Sequence, residues 1–141
     1  MRSRTRGTEL NDSTTGRLSW NGEKFRGWVD HDGDPLDVVD RDQVLANVGT
    51  DRCTGAINSS FRMYLETMKA MTRGEGLAEN ADVPLGVSAF PAELFMSRRR
   101  WVEATHNVTF WREHDRGGHF ATMERPEAIV ADIRELFREL R

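Results

Sequence analysis

Asp115-Arg116-Gly117-Gly118-His119-Phe120 is the stretch on which the reading of this 141-residue sequence turns. Two adjacent glycines let the backbone reach φ > 0 and bring neighbouring main chain close, so the histidine after them can project from the end of a strand instead of packing beneath it. Just upstream, the segment from Asn107 to Glu113, with Val108, Phe110 and Trp111, has the β-branched and aromatic content of a strand. Downstream, Pro126 fits the first position of a helix, and Ile129, Val130, Ile133, Leu136, Phe137 and Leu140 recur at a spacing of 3.6 to the end of the chain.

Further back, Val83-Pro84-Leu85-Gly86-Val87-Ser88-Ala89-Phe90 is a short apolar run of the kind buried in a parallel sheet. Pro91-Ala92-Glu93-Leu94 breaks that run and leaves Glu93 at its C-terminal end, and the residues from Ser97 to Ala104 read as a helix. The order is therefore strand, acid, helix, strand, histidine, helix. Ligands of open α/β sheets bind outside the carboxyl ends of the strands, where both Glu93 and His119 fall. In an α/β-hydrolase the nucleophile comes first, then the acid, then the histidine, and the acid and histidine stand here in that order.

The first half reads differently. Residues 1–16 are polar and expected to be loosely ordered, with Asn11-Asp12-Ser13-Thr14-Thr15-Gly16 as turn or cap chemistry. Leu18, Phe25, Trp28 and Val29 recur at helical spacing up to Asp30-His31-Asp32-Gly33-Asp34-Pro35, which no helix crosses. Asp40 or Asp42 is expected to cap a short helix with Val44, Leu45 and Val48, and Asn58 or Ser59 a third with Phe61, Tyr64, Leu65 and Met68. The expected organisation is a helical portion over 17–70, a connection over 71–82 and an α/β portion over 83–141.

Composition narrows the function. Lys and Arg number 20 against 23 Asp and Glu, for a net charge of −3, and no basic face stands clear of acidic neighbours, so nucleic acid is not an expected partner. The single cysteine, Cys53, cannot form an internal disulfide, and no apolar run approaches the roughly 18 residues of a membrane span, so the expected setting is the cytoplasm, without a membrane partner. Asp30-His31-Asp32-Gly33-Asp34 has the composition of a calcium loop, but its glycine is misplaced and Arg41 stands where the bidentate glutamate belongs. No metal site and no cofactor are expected; Met68, Met71, Trp20 and Trp28 read as core or former core.

At this point the residues carry a family resemblance. Thr54-Gly55-Ala56-Ile57-Asn58-Ser59-Ser60-Phe61-Arg62-Met63-Tyr64, then Ala89-Phe90-Pro91-Ala92-Glu93-Leu94-Phe95, then Arg116-Gly117-Gly118-His119-Phe120-Ala121 with Glu124-Arg125-Pro126-Glu127, resemble the C-terminal part of a microsomal-type epoxide hydrolase. The resemblance implies an α/β-hydrolase fold, here a helical cap remnant plus the last two parallel strands and their helices. It also implies hydrolysis of epoxides to vicinal diols: an aspartate opens the ring to form an ester, and a histidine paired with an acid activates the water that cleaves it. Carried over position by position, His119 matches the base, Glu93 the acid and Tyr64 the second of two cap tyrosines that hold the epoxide oxygen.

The family's nucleophile, oxyanion-hole backbone and first cap tyrosine have no counterpart here. Tyr64 is the only tyrosine, and Asp30, Asp32 and Asp34 sit in a polar loop after a helix, not on a strand-to-helix turn. The chain therefore reads as a truncated or diverged copy. Its expected partners are a small apolar epoxide and either a complementing N-terminal half or a second copy, because the faces of Phe90, Phe110, Trp111, Ile133 and Phe137 should be only partly covered. The alternatives are an inactive remnant or protein-binding fragment and, within the hydrolases, a haloalkane dehalogenase-like protein. Without the resemblance, Glu93 is a residue at a helix start, Tyr64 a packing residue and His119 a loop residue.

Overall fold

The computed structural model describes residues 13–74 and 81–139. Residues 1–12, the stretch 75–80 of the connection expected over 71–82, and Leu140 and Arg141 lie outside the described residues. The chain divides into two compact units, one of Met1–Lys24 with Asp40–Leu77 and the other of Phe25–Val39 with Ala78–Arg141.

Helix α1 spans Thr14–Trp28 and passes through the division. It starts four residues ahead of Leu18 because the Ser13 hydroxyl accepts the N–H of Gly16 at 3.0 Å, the bond by which a serine cap satisfies an orphan donor of the first turn. A 3-10 turn over Pro35–Asp37 is opened by Asp34, whose carboxylate accepts the N–H of Leu36 at 3.0 Å. Asp40, of the two candidates, caps α2, Arg41–Thr54, by accepting from Asp42 and Gln43 at 2.9 and 3.0 Å. That helix is 14 residues long, not short, and buries Val44 and Val48.

Helix α3, Ile57–Thr72, corrects two expectations. Its N-terminal flank is Ala56, with no side-chain cap; the Ser59 hydroxyl instead donates to the Ala56 carbonyl at 2.7 Å from within the first turn. Its apolar side chains are not core either, since Met63, Tyr64, Met68 and Met71 are all more than half exposed. Trp20 meets this helix at Phe61, ring centroids 5.2 Å apart.

In the second unit, β1 (Ala81–Ala89) and β2 (His106–Glu113) pair in parallel, joined through the short helix α4, Arg99–Glu103. The register runs Gly86 to Phe110, Val87 to Trp111, Ser88 to Arg112 and Ala89 to Glu113, and is irregular from Ala81 to Gly86. Pro84 lies in that irregular part, where a residue without an N–H can sit in a ladder. After β2 come α5, Ala121–Glu124, and α6, Pro126–Glu139, with Pro126 at its first position as expected.

Helix α6 does not turn its whole apolar stripe inward. Val130, Ile133 and Phe137 are 43%, 49% and 57% exposed, while Asp132 is buried at 3%. The helix packs on β1 through Leu136, which fills the space where a side chain at Gly86 would stand, and through Asp132. Asp132 accepts from the Ser88 hydroxyl, His114 Nε2 and an Arg112 guanidinium nitrogen, each at 2.7 Å, and Arg112 also reaches Glu135 at 2.7 Å. A buried carboxylate so fully matched ties both strand ends to the helix, which rotates the helix away from the purely apolar arrangement. Phe90, expected to be partly uncovered, is 6% exposed, because the His114 ring stacks on it at 4.5 Å.

Burial pushes the Asp132 carboxyl up, but the hydrogen bonds from Ser88, His114 and Arg112 and the His114 charge outweigh it and hold it below the usual aspartate value. A depressed pKa adds stability that is present above the unfolded value near 3.9 and lost as pH falls through the folded one. Asp132→Asn should therefore cost about 1–3 kcal/mol of unfolding free energy at neutral pH, with the deficit shrinking below roughly pH 4. Urea titrations at the two pH values measure this; an equal deficit at both would show that the carboxylate charge is not what the network uses.

Candidate active site

The histidine turn leaves β2 at Glu113 and re-enters helix at Ala121. Gly117 takes φ 120°, a conformation that side chains rarely adopt, and a Cβ there would stand 2.6 Å from the Phe90 ring. Gly118 is required for a different reason: a Cβ on it would stand 2.5 Å from the carbonyl oxygen of Trp28 and 3.0 Å from the amide nitrogen of Asp30. The pair is thus a passage for backbone, as the sequence suggested, with the end of α1 on one side.

Glu93 is brought to the turn by the chain that follows β1. The N–H of Ala92 donates to the Gly117 carbonyl at 3.1 Å, and Ala92 and Gly118 form an isolated parallel bridge that continues the sheet past its last full ladder rung. That register sets the Glu93 carboxylate on the ring of His119, Nδ1 to Oε1 at 2.7 Å. Burial pushes the Glu93 carboxyl up, but the hydrogen bond from His119, the backbone N–H of Leu94, the His119 charge and the N–H of Phe95 outweigh it and hold the group below the usual glutamate value. An ionised carboxylate can only accept, so His119 Nδ1 is the donor of the pair. About a third of each side chain is exposed, 38% for His119 and 34% for Glu93, so a water can reach the ring.

Trp28 and Phe120 frame the imidazole. The Trp28 ring meets it edge-on at 5.1 Å, the Phe120 ring does so at 5.3 Å, and Phe120 stacks on Phe25 at 4.5 Å. Sequence reasoning placed Trp28 in a core and gave it no part at the site. Its helical spacing carried no sign of a contact with a residue 91 positions along the chain. Tyr64, the third candidate, is on α3 in the other unit and is 56% exposed. Among the described residues no three His, Cys, Asp or Glu side chains gather as a metal-binding group, and no helix is long and apolar enough to cross a membrane.

A short parallel sheet whose successive strands deliver an acid and then a histidine on a glycine turn defines the C-terminal portion of an α/β-hydrolase. Comparison with known proteins makes this particular: the homologues and structural neighbours of the chain are epoxide hydrolases. It is 42% identical to a protein of Stigmatella aurantiaca (strain DW4/3-1) described as "Putative epoxide hydrolase", over 99% of this chain and 31% of that protein. It is 33% identical to Epoxide hydrolase 1 of Sus scrofa, over 93% of this chain and 31% of that one. Its fold matches the epoxide hydrolase of Aspergillus niger with a TM-score of 0.80 at 29% identity, covering all of this chain and 34% of the other. The juvenile hormone epoxide hydrolase of the silkworm Bombyx mori shares the fold with a TM-score of 0.84, over 99% of this chain and 37% of that structure. No protein-family model matches the chain. The sequence spans about a third of the length of the curated relatives it matches.

The close approach at Gly118 gives a direct test. Gly118→Ala must displace the end of α1 or the turn, and should cost about 1–3 kcal/mol, as overpacking against backbone does. Thermal melting compared with the unsubstituted chain measures it; an unchanged midpoint would show that the approach is looser than the geometry states.

Proposed function

We propose that this chain supplies the water-activating residues of an epoxide hydrolase, with His119 as general base, Glu93 as the acid that orients it and Tyr64 as a donor to the epoxide oxygen. The observation that carries this is the Glu93–His119 bond of 2.7 Å on the glycine turn. The nucleophilic aspartate is then provided by polypeptide outside these 141 residues. That carboxylate attacks an epoxide carbon, an ester bond forms and the ring C–O bond breaks, with the phenol of Tyr64 stabilising the developing alkoxide. His119 Nε2 takes a proton from a water as the water adds to the ester carbonyl, and Glu93 stabilises the imidazolium that results. As the adduct collapses, the imidazolium proton passes to the departing alkoxide. The proton of the aspartic acid so formed makes good the one the ring-opened alkoxide took from the phenol, so the diol leaves and the aspartate, His119 and Tyr64 are restored. The substrate is a small apolar epoxide.

Because the triad acts as a unit, the 141-residue chain alone should form no diol. Mixed with a polypeptide carrying the aspartate turn, it should turn over, and His119→Gln should then accumulate the ester, read as a covalent adduct by mass spectrometry. Diol formation by the chain alone, lost in His119→Ala, would overturn the division of roles. So would a working mixture in which His119→Gln gives no adduct.

A protein-binding role is favoured by a separate observation, the exposed row Val130, Ile133 and Phe137 on α6. Each such side chain left in water forfeits up to about 1.5–3 kcal/mol of burial, so a second copy or a complementing half is the natural cover. Sedimentation should find the purified chain associated, and Phe137→Asp should shift it toward monomer. A monodisperse monomer in the unsubstituted chain would contradict this.

A further inference from the structure

The four consecutive backbone N–H groups from Gly117 to Phe120 are all spoken for. Gly117 N–H donates to Asp30 Oδ2 at 2.7 Å, Gly118 N–H to Glu124 Oε2 at 2.8 Å, His119 N–H to the Trp28 carbonyl at 2.9 Å and Phe120 N–H to Glu124 Oε1 at 2.9 Å. Glu124 Oε2 also accepts the N–H of Asp30 at 2.9 Å. Consecutive N–H groups in a tight turn make a concave site for an anion. Here the chain fills that site with its own carboxylates. Glu124 is 8% exposed and takes three backbone donors, two of them from the residues on either side of His119.

We propose that Glu124 is a positioning residue for His119: by clamping the N–H groups of Gly118 and Phe120, it fixes the backbone from which the imidazole reaches Glu93. The hydrogen bonds to each flank leave the His119 main chain one orientation, and Trp28 and Phe120 then close the ring in from two edges. Asp30 completes the clamp at Gly117 and is itself held by Glu124, so the carboxylate also sets the chain just after α1 against the turn. The importance of this arrangement for catalysis rests on His119 being the base, but the arrangement itself can be tested without turnover.

Glu124→Gln keeps the shape and puts an NH2 where an oxygen stood, so whichever way the amide faces, at least one backbone N–H of the clamp meets a donor. The readout is the far-downfield proton resonance of an imidazole N–H held on a carboxylate, recorded on the full isotope-labelled chain and assigned to His119 by its loss in Glu93→Ala. Glu124→Gln should abolish that resonance and speed amide exchange at His119 by about tenfold. Leu136→Ala, which loosens the packing of α6 on β1, should lower the melting temperature yet leave the resonance in place. Should Glu124→Gln not fold, Asp30→Asn, which removes the charge that Gly117 meets, should weaken the resonance in the same sense. A resonance unchanged in Glu124→Gln or, where that variant does not fold, in Asp30→Asn would overturn the proposal while leaving the Glu93–His119 pair intact, as would its equal loss in Leu136→Ala. No such resonance in the unsubstituted chain would overturn the pair itself, and with it the proposed base.

Discussion

The second unit depends on one requirement, that a turn too crowded for side chains still satisfy its peptide N–H groups. Gly117 and Gly118 bring the turn so close to Phe90 and Trp28 that little room is left for water around them, and both are buried. Buried donors without partners would each cost of the order of 1–3 kcal/mol. Asp30, Glu124 and the Trp28 carbonyl meet that need. Charged acceptors suit the task, since a hydrogen bond to a carboxylate is roughly twice as strong as one between neutral groups. The same bonds that make the turn possible also give His119 its direction.

A second carboxylate works in parallel where α6 meets the two strands. Asp132 gathers Ser88 from β1, Arg112 from β2 and His114 from just beyond it, so that strand ends and α6 share one acceptor. His114 then lies flat on Phe90, the ring that a side chain at Gly117 would strike. The two polar clusters are thus joined through an aromatic contact, and each histidine has its own carboxylate: His114 Nε2 meets Asp132, while His119 Nδ1 meets Glu93.

The meeting of His119 and Glu93 at the strand ends was legible in the sequence because glycines and prolines punctuate it: Gly117-Gly118 and Pro91 mark where strands stop. The start of α1, the cap of α3 and the face of α6 were not, each for a physical reason. Ser13 extends α1 through residues with no apolar period, Ser59 bonds backward from inside a helix, and Asp132 is an acid on the inward face of a stripe that spacing alone reads as apolar. Glu124 was out of reach for another cause: its partners are backbone donors, which every residue carries and no side-chain pattern reveals. An acid five residues after the histidine looks like any other charge ahead of a helix.

The last carbonyls of a helix ordinarily look to water or to a cap for a donor. At the end of α1, Trp28 finds one in the N–H of His119. A helix terminus and a turn that share a hydrogen bond do not fray separately: opening either one strands the other's polar group. Amides at the end of α1 and in the turn should then exchange with solvent as one cooperative block, a foldon assembled from segments some 90 residues apart in the chain.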